Sequence, residues 1–147
     1  MTDIVDSQTR SAMMSGIRGK NTKPEMVVRR FLHRMGFRFR LHRRDLPGRP
    51  DIVLPRYRTV VEVRGCFWHR HEGCPFAYTP KSNREFWETK LNGNRDRDRR
   101  NLRALRELGW RAIEIWECEL VDDQVLQALP SMIRSTPALS RQSGLLQ

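Results

Sequence analysis

Val27, Val28, Phe31, Leu32 and Met35 recur at the spacing of one helix face, and Gly36 ends the run. Thr22-Lys-Pro-Glu25 reads as the capping box that opens this helix, with proline tolerated in its first turn. Phe37 to Leu41 alternates apolar and basic residues, which predicts a strand. Asp51–Leu54 and Thr59–Val63 are short β-branched runs joined across Pro55-Arg-Tyr-Arg58, which predicts a hairpin. A second capping box at Ser82–Glu85 opens a long helix. Its apolar set is Phe86, Trp87, Leu91, Leu102, Leu105 and Leu108, closed by Gly109. Trp110–Trp116 predicts a strand with Ile113 and Ile115 on one face. Leu120, Val121, Val125, Leu126, Leu129 and Ile133 predict a last amphipathic helix. Residues 7–19, with Met13, Met14 and Ile17, read as a short helix or arm, and residues 64–81 as irregular. No repeat and no linker interrupts the order α-βββ-α-β-α. The expectation is a single α/β domain with a mixed central sheet flanked by helices. Its bounds are 22–134, with an N-terminal arm over 1–21 and a flexible tail over 135–147.

Charge gives this domain a partner. The 147 residues hold 28 Lys+Arg against 17 Asp+Glu, a net +11. Arg10 to Arg49 contains 12 basic residues and two acids, and Lys81 to Arg111 contains ten basic residues and five acids. Two segments of one sign point to nucleic acid, where such charge binds phosphate without reading sequence. Solvated helix faces are the plain alternative. No apolar run is long enough for a membrane span, and the first residues carry no secretory signal. Three cysteines do not make a disulfide-stapled secreted domain. The expectation is a cytoplasmic, nucleoid-associated monomer.

The segment Gly65-Cys66-Phe-Trp-His69-Arg-His71-Glu-Gly-Cys74 concentrates thiols and imidazoles, and Cys118 follows the last strand. Three cysteines and one histidine fill the four tetrahedral positions of a structural zinc site. Buried free thiols would be the alternative, but a glycine-punctuated loop is a poor core. Spacing alone leaves either His69 or His71 as the fourth ligand. The other imidazole would then be free for general-base work.

Asp51 begins one hairpin strand, and Glu62 and Arg64 close the next on a common face. Two such carboxylates form a hard-oxygen site suited to Mg²⁺, which polarises phosphoryl oxygens and helps ionise water. Taken alone they could equally be a turn aspartate and a surface Glu–Arg pair. Glu25 could likewise do no more than cap its helix.

Longer motifs carry a resemblance. Leu46-Pro-Gly-Arg-Pro-Asp51, Gly65-Cys-Phe-Trp-His-Arg-His71, Glu85-Phe-Trp87, Arg97-Asp-Arg-Arg100 and Glu107-Leu-Gly-Trp110 through Trp116-Glu-Cys118 resemble the very-short-patch (Vsr) mismatch-repair endonucleases. The resemblance runs from about Asp6 to Leu120. It implies a restriction-endonuclease-like, PD-(D/E)xK fold with a structural Zn²⁺. It also implies Mg²⁺-dependent nicking of one strand of duplex DNA at a T·G mismatch, the product of 5-methylcytosine deamination, with other repair proteins as further partners. By the same resemblance, Asp51 binds Mg²⁺, His69 is the general base, and Glu25 supports the site. Cys66, His71, Cys74 and Cys118 hold zinc. Phe67, Trp68 and Met14 enter the base stack, where a mismatched step is cheaper to open. Trp87, Arg97, Arg99 and Arg100 belong to the DNA contact. The chain departs from the best-known pattern at Glu62 and Arg64, where that pattern has an apolar residue and a histidine that helps catalysis. Glu62 is expected to join Asp51 on Mg²⁺, and Arg64 to stabilise charge on the phosphate. The alternatives are a nicking enzyme of different preference and a non-catalytic, zinc-stabilised DNA-binding module.

Overall fold

The computed structural model describes residues 21–135. The expected arm, with Met14, and the stretch beyond Ser135 lie outside these residues.

Helix α1 spans Lys23–Arg34. Thr22 Oγ1 accepts from the Glu25 backbone N–H at 3.3 Å. The box closes one residue early, because Glu25 Oε1 accepts from Asn21 N at 3.0 Å rather than from Thr22. Gly36, at φ +89°, ends the helix. Its N–H bonds His33 O and the Phe37 N–H bonds Leu32 O, both at 3.0 Å, the paired closure of a left-handed C-cap. That closure corrects the expected strand from Phe37. The Phe37 donor is spent on the helix, and strand β1 is only Arg40–Leu41. The Phe37 ring is buried and meets Tyr57 edge-on at 5.8 Å.

Strand β2 (Ile52–Leu54) and strand β3 (Thr59–Arg64) form the expected hairpin, with Ile52 opposite Val61 and Leu54 opposite Thr59. A 3-10 turn over Pro55–Tyr57 and a left-handed Arg58 reverse the chain. Helix α2 spans Arg84–Glu107. The capping box expected at Ser82 does not form. Asn83 is the N-cap, in a left-handed conformation without a side-chain cap bond. Strand β4 (Arg111–Trp116) follows, then a 3-10 turn over Glu117–Leu120, then helix α3 (Gln124–Arg134). The last helix therefore begins later than Leu120, and Val121 is 81% exposed.

The sheet order is β1-β2-β3-β4, antiparallel except for the parallel β3–β4 pair. A parallel pair needs a crossover, and α2 supplies it. Val28, Phe31 and Leu32 of α1 and Leu129 and Ile133 of α3 pack on Ile52, Leu54, Val61, Val63, Ile113 and Ile115. Leu105 of α2 packs with Val53, Val60 and Trp110 on the opposite face. Helices on both faces explain why β2 and β3 are buried at every position rather than at alternate ones. Among the described residues no helix is long and apolar enough to cross a membrane.

Candidate active site and metal-ligand cluster

Strand register brings the acids together. Ile52 faces Val61, so Asp51 lies beside Glu62 one step earlier. Asp51 Oδ2 accepts from the Val63 N–H at 2.8 Å, and Glu62 Oε1 accepts from the Asp51 N–H at 3.4 Å. Burial, then the neighbouring Glu62 charge, pushes the Asp51 carboxyl up to about 7, against the opposing Val63 N–H. Burial also raises Glu62, against the pull of Arg64. Buried Glu25 reaches in from the first turn of α1. Its Oε2 lies 2.8 Å from His42 Nε2 and 3.4 Å from Arg29 Nη1. Ligand atoms of Glu25, His42 and Asp51 all lie within 4.8 Å of one another. Such crowded, half-dehydrated carboxylates favour a cation among them, so the residues fit a divalent metal.

Across the cleft, His69 Nδ1 lies 2.6 Å from Asp98 Oδ2 on α2. A carboxylate only accepts, so Nδ1 carries a proton, which in the neutral ring leaves the Nε2 lone pair facing away from Asp98. Arg64, 5% exposed, sits between two acids. Its Nη1 is 3.1 Å from Asp98 Oδ1 and its Nε 2.6 Å from Glu114 Oε2. Burial works against its charge, but Glu62, Asp98 and Glu114 outweigh that and hold its pKa above the usual value.

The thiols converge for a related reason. Arg64 pairs with Trp116 in the parallel register, so Cys66 and Cys118, each two residues further on, emerge side by side. Sulfur atoms of both lie 3.5 Å from His71 Nδ1, and the ligand atoms of Cys66, His71, Cys74 and Cys118 are all within 4.8 Å. A tetrahedral zinc with ordinary bond lengths has an S···N edge of about 3.5 Å, so the donor set fits that ion. Trp116 stacks flat on His71 at 4.0 Å and fixes the imidazole plane. Burial raises the Cys66 thiol to about 12 and raises Cys118 too. A cation would be needed to hold these sulfurs as thiolates. His69, engaged with Asp98, stands apart from the cluster.

The carboxylates open into a cleft of about 870 Å³, lined by α1's first turn, loop 42–49, the ends of β2 and β3, His69, Asp98 and Asn101. Phe67, Trp68 and Trp87 form one aromatic cluster, with centroids 5.0–5.8 Å apart. Tyr78 and Phe86 extend it and are more than half exposed. Trp68 differs from the protruding side chain expected, being 6% exposed. Arg97, Arg99 and Arg100 are exposed on α2. Gly48, at φ +75°, passes so close to α2 that an added Cβ would meet Asn101 Nδ2 at 2.7 Å and Asn101 Cβ at 3.0 Å. Gly48→Ala is expected to destabilise the fold by about 1–3 kcal/mol through strain and overpacking. Asn101→Ala should restore only part of this, because the left-handed backbone remains; thermal melting of the single and double variants checks both.

The family pattern described as DNA mismatch endonuclease Vsr matches residues 2–74. Over 128 residues the chain is 50% identical to the type II nicking enzyme V.XorIIP of Xanthomonas oryzae pv. oryzae, covering 87% of this chain and 93% of that enzyme. The chain belongs to the Vsr family of DNA mismatch endonucleases. This Vsr-family endonuclease is also 47% identical over 120 residues to the type II nicking enzyme V.NmeAIP of Neisseria meningitidis, covering 82% of this chain and 85% of that one. It is 42% identical over 120 residues to the DNA mismatch endonuclease Vsr of Escherichia coli, covering 82% of this chain and 76% of that one.

Sequence reasoning about this Vsr endonuclease missed Asp98, His42 and Glu114. Asp98 had a readable signal. Leu91, Asp98 and Leu105 stand seven apart, with Asn94 and Asn101 three residues after the first two. Polar residues in a core-facing stripe of α2 mark a place where the helix meets chemistry rather than core. Asn94 Nδ2 indeed bonds Trp68 O at 3.0 Å, tying α2 to the loop that carries His69. His42 and Glu114 had no such signal.

Proposed function

We propose that this endonuclease nicks one strand of duplex DNA at a T·G mismatch, with Mg²⁺ at the carboxylates and Zn²⁺ at the thiols. The observation that carries the reading is the His69–Asp98 pair facing the buried Asp51–Glu62 pair in one cleft. In the PD-(D/E)xK reading, Asp51 and Glu62 are the signature acids and Arg64 stands at the lysine position. Residues 22–134 are the catalytic domain, and residues 1–21, including Met14, the arm that contacts DNA. The setting proposed is cytoplasmic, with the enzyme a monomer on the nucleoid.

His69 Nε2 takes a proton from the attacking water, and Asp98 stabilises the imidazolium that forms. Asp51 and Glu62 would hold Mg²⁺, which when bound supplies Lewis-acid stabilisation of charge on the phosphoryl oxygens. Glu25, fixed by His42 and Arg29, keeps a further carboxyl group beside Asp51. Zinc would be structural, with all four positions filled by Cys66, His71, Cys74 and Cys118. Phe67 and Trp87, with Trp68 packed behind them, flank the opened step. Arg97, Arg99 and Arg100 position phosphates and carry no sequence information.

Nicking assays on end-labelled duplexes that are matched, T·G or otherwise mismatched, with and without Mg²⁺, test this. The T·G duplex is expected to be cut in one strand, only with Mg²⁺. Absence of cleavage on every duplex would favour the non-catalytic binding module. Equal rates on all mismatches would remove the T·G assignment and leave the nicking reading in place.

A further inference from the structure

We propose that Arg64 is a positioning residue for His69, holding one oxygen of Asp98 so that the other holds the imidazole, with Glu114 anchoring Arg64 in turn. This deepens the reading of the cleft as a nuclease site and rests on it.

The geometry separates this role from direct contact with a phosphate. The register pairs Glu62 with Glu114 and Arg64 with Trp116. Glu62, Arg64 and Glu114 therefore share the sheet face that α2 covers, since alternate strand residues point the same way. From there Arg64 meets Glu114 through Nε at 2.6 Å and Asp98 through Nη1 at 3.1 Å. Asp98 divides its two oxygens, Oδ1 to Arg64 and Oδ2 to His69 Nδ1. A carboxylate held at one oxygen by a guanidinium cannot rotate freely, so the acceptor it offers Nδ1 has a set direction. The result is a four-membered chain, Glu114–Arg64–Asp98–His69, joining β4, β3, α2 and the loop after β3. It fixes which imidazole nitrogen carries the proton. A histidine at position 64 has no forked guanidinium with which to bridge Asp98 and Glu114 in this two-pronged way.

Single-turnover nicking of a T·G duplex by Arg64→Gln, Asp98→Asn and the double variant tests the inference, with duplex affinity measured alongside. Arg64→Gln is expected to slow the step on the order of 10- to 100-fold, as loss of an orienting outer partner does at metal sites. Duplex affinity should stay within about threefold, since no phosphate contact is lost. The double variant should be no slower than Asp98→Asn alone, because groups acting as a unit are not additive. Multiplicative losses, or a large loss of affinity, would instead place Arg64 on the phosphate and overturn the proposal. Glu114→Gln, at a partly exposed side chain, should slow the step about 10-fold while the protein melts as the wild type does; no effect counts against the anchor. Arg64→Lys, which holds one acid at a time, should fall between wild type and glutamine. Nitrogen-15 spectra of the His69 ring at one fixed pH read the clamp without catalysis. The wild type should show the Nδ1–H tautomer and Arg64→Gln a mixture, and an unchanged spectrum would overturn the clamp. If the wild type cuts no duplex, the nuclease reading fails, and the ring spectra still decide whether Arg64 orients His69.

Discussion

Replacing Asp51 with asparagine is expected to abolish nicking and, at the same time, to make the metal-free fold more stable. The activity loss, on the order of 10³-fold or more, follows from removing the charge that would hold Mg²⁺ beside the phosphate. Binding to the duplex should be unchanged or tighter, because a negative charge has left the cleft. The stability gain follows from linkage. In the fold the Asp51 carboxyl is raised from 3.8 to about 7 by burial and by Glu62. As pH rises through that window the unfolded chain gives up its proton first, so the wild-type fold loses stability until about pH 7 and no further. At 1.36 kcal/mol per pH unit, the step from pH 5 to pH 7 costs about 2–3 kcal/mol. Asparagine has no charge to lose and can still accept from the Val63 N–H. In buffer holding zinc but no magnesium, the variant should therefore melt progressively higher than wild type from pH 5 to pH 7, by about 10 °C in all, with a constant gap above. Calorimetry across that range, and again after adding magnesium, checks both halves. A gap that does not change with pH would mean that Asp51 is not held protonated in the fold.

If the thiol cluster holds zinc as proposed, replacing Cys118 with serine is expected to abolish metal binding there and with it the shape of the loop that carries His69. Cys66 and Cys118 leave the ends of adjacent parallel strands, and His71 closes on both at 3.5 Å. A zinc there would tie residues 66–74, which contain no helix or strand, to the end of β4. The variant should bind no zinc where the wild type binds one per chain, read by elemental analysis. Its melting temperature should drop by about 10 °C or more, since binding energy at such sites is folding energy. Nicking should fall to background even with Asp51 intact, because His69 and Asp98 would no longer be held together. The sheet core does not depend on this cluster, so far-ultraviolet circular dichroism should keep most of its helix and strand signal. Retention of one zinc with unchanged melting would show that the four side chains are not the zinc site.

The elements were readable wherever a local pattern decides them. Gly36 and Gly109 end helices because each takes a left-handed conformation that donates to the preceding turn. The hairpin of β2 and β3 follows from its two β-branched runs. The errors lie at element ends, where donors are shared between neighbours. Phe37 lost its strand because its N–H closes α1, and Ser82 lost its cap because Asn83 turns left-handed. Both outcomes are settled by a single backbone bond or dihedral angle, which residue type biases only weakly.

The chain's sequence by itself determined the α-βββ-α-β-α order, the three cysteines of the Cys/His cluster, the carboxylates Asp51 and Glu62, and a family with a DNA endonuclease activity. Those are matters of residue type, spacing and long motifs. Only the tertiary structure decided who meets whom. The parallel register of β3 on β4 sets Cys118 beside Cys66 and Glu114 beside Arg64, across roughly fifty residues of chain. The packing of α2 over that face brings Asp98 to His69 and Arg64. Strand register and helix placement depend on the burial of both sheet faces at once, a property of the whole core that no local window contains. The charge expected to rest on Arg64 for the phosphate is, for that reason, already engaged by two acids that sequence spacing could not bring to it.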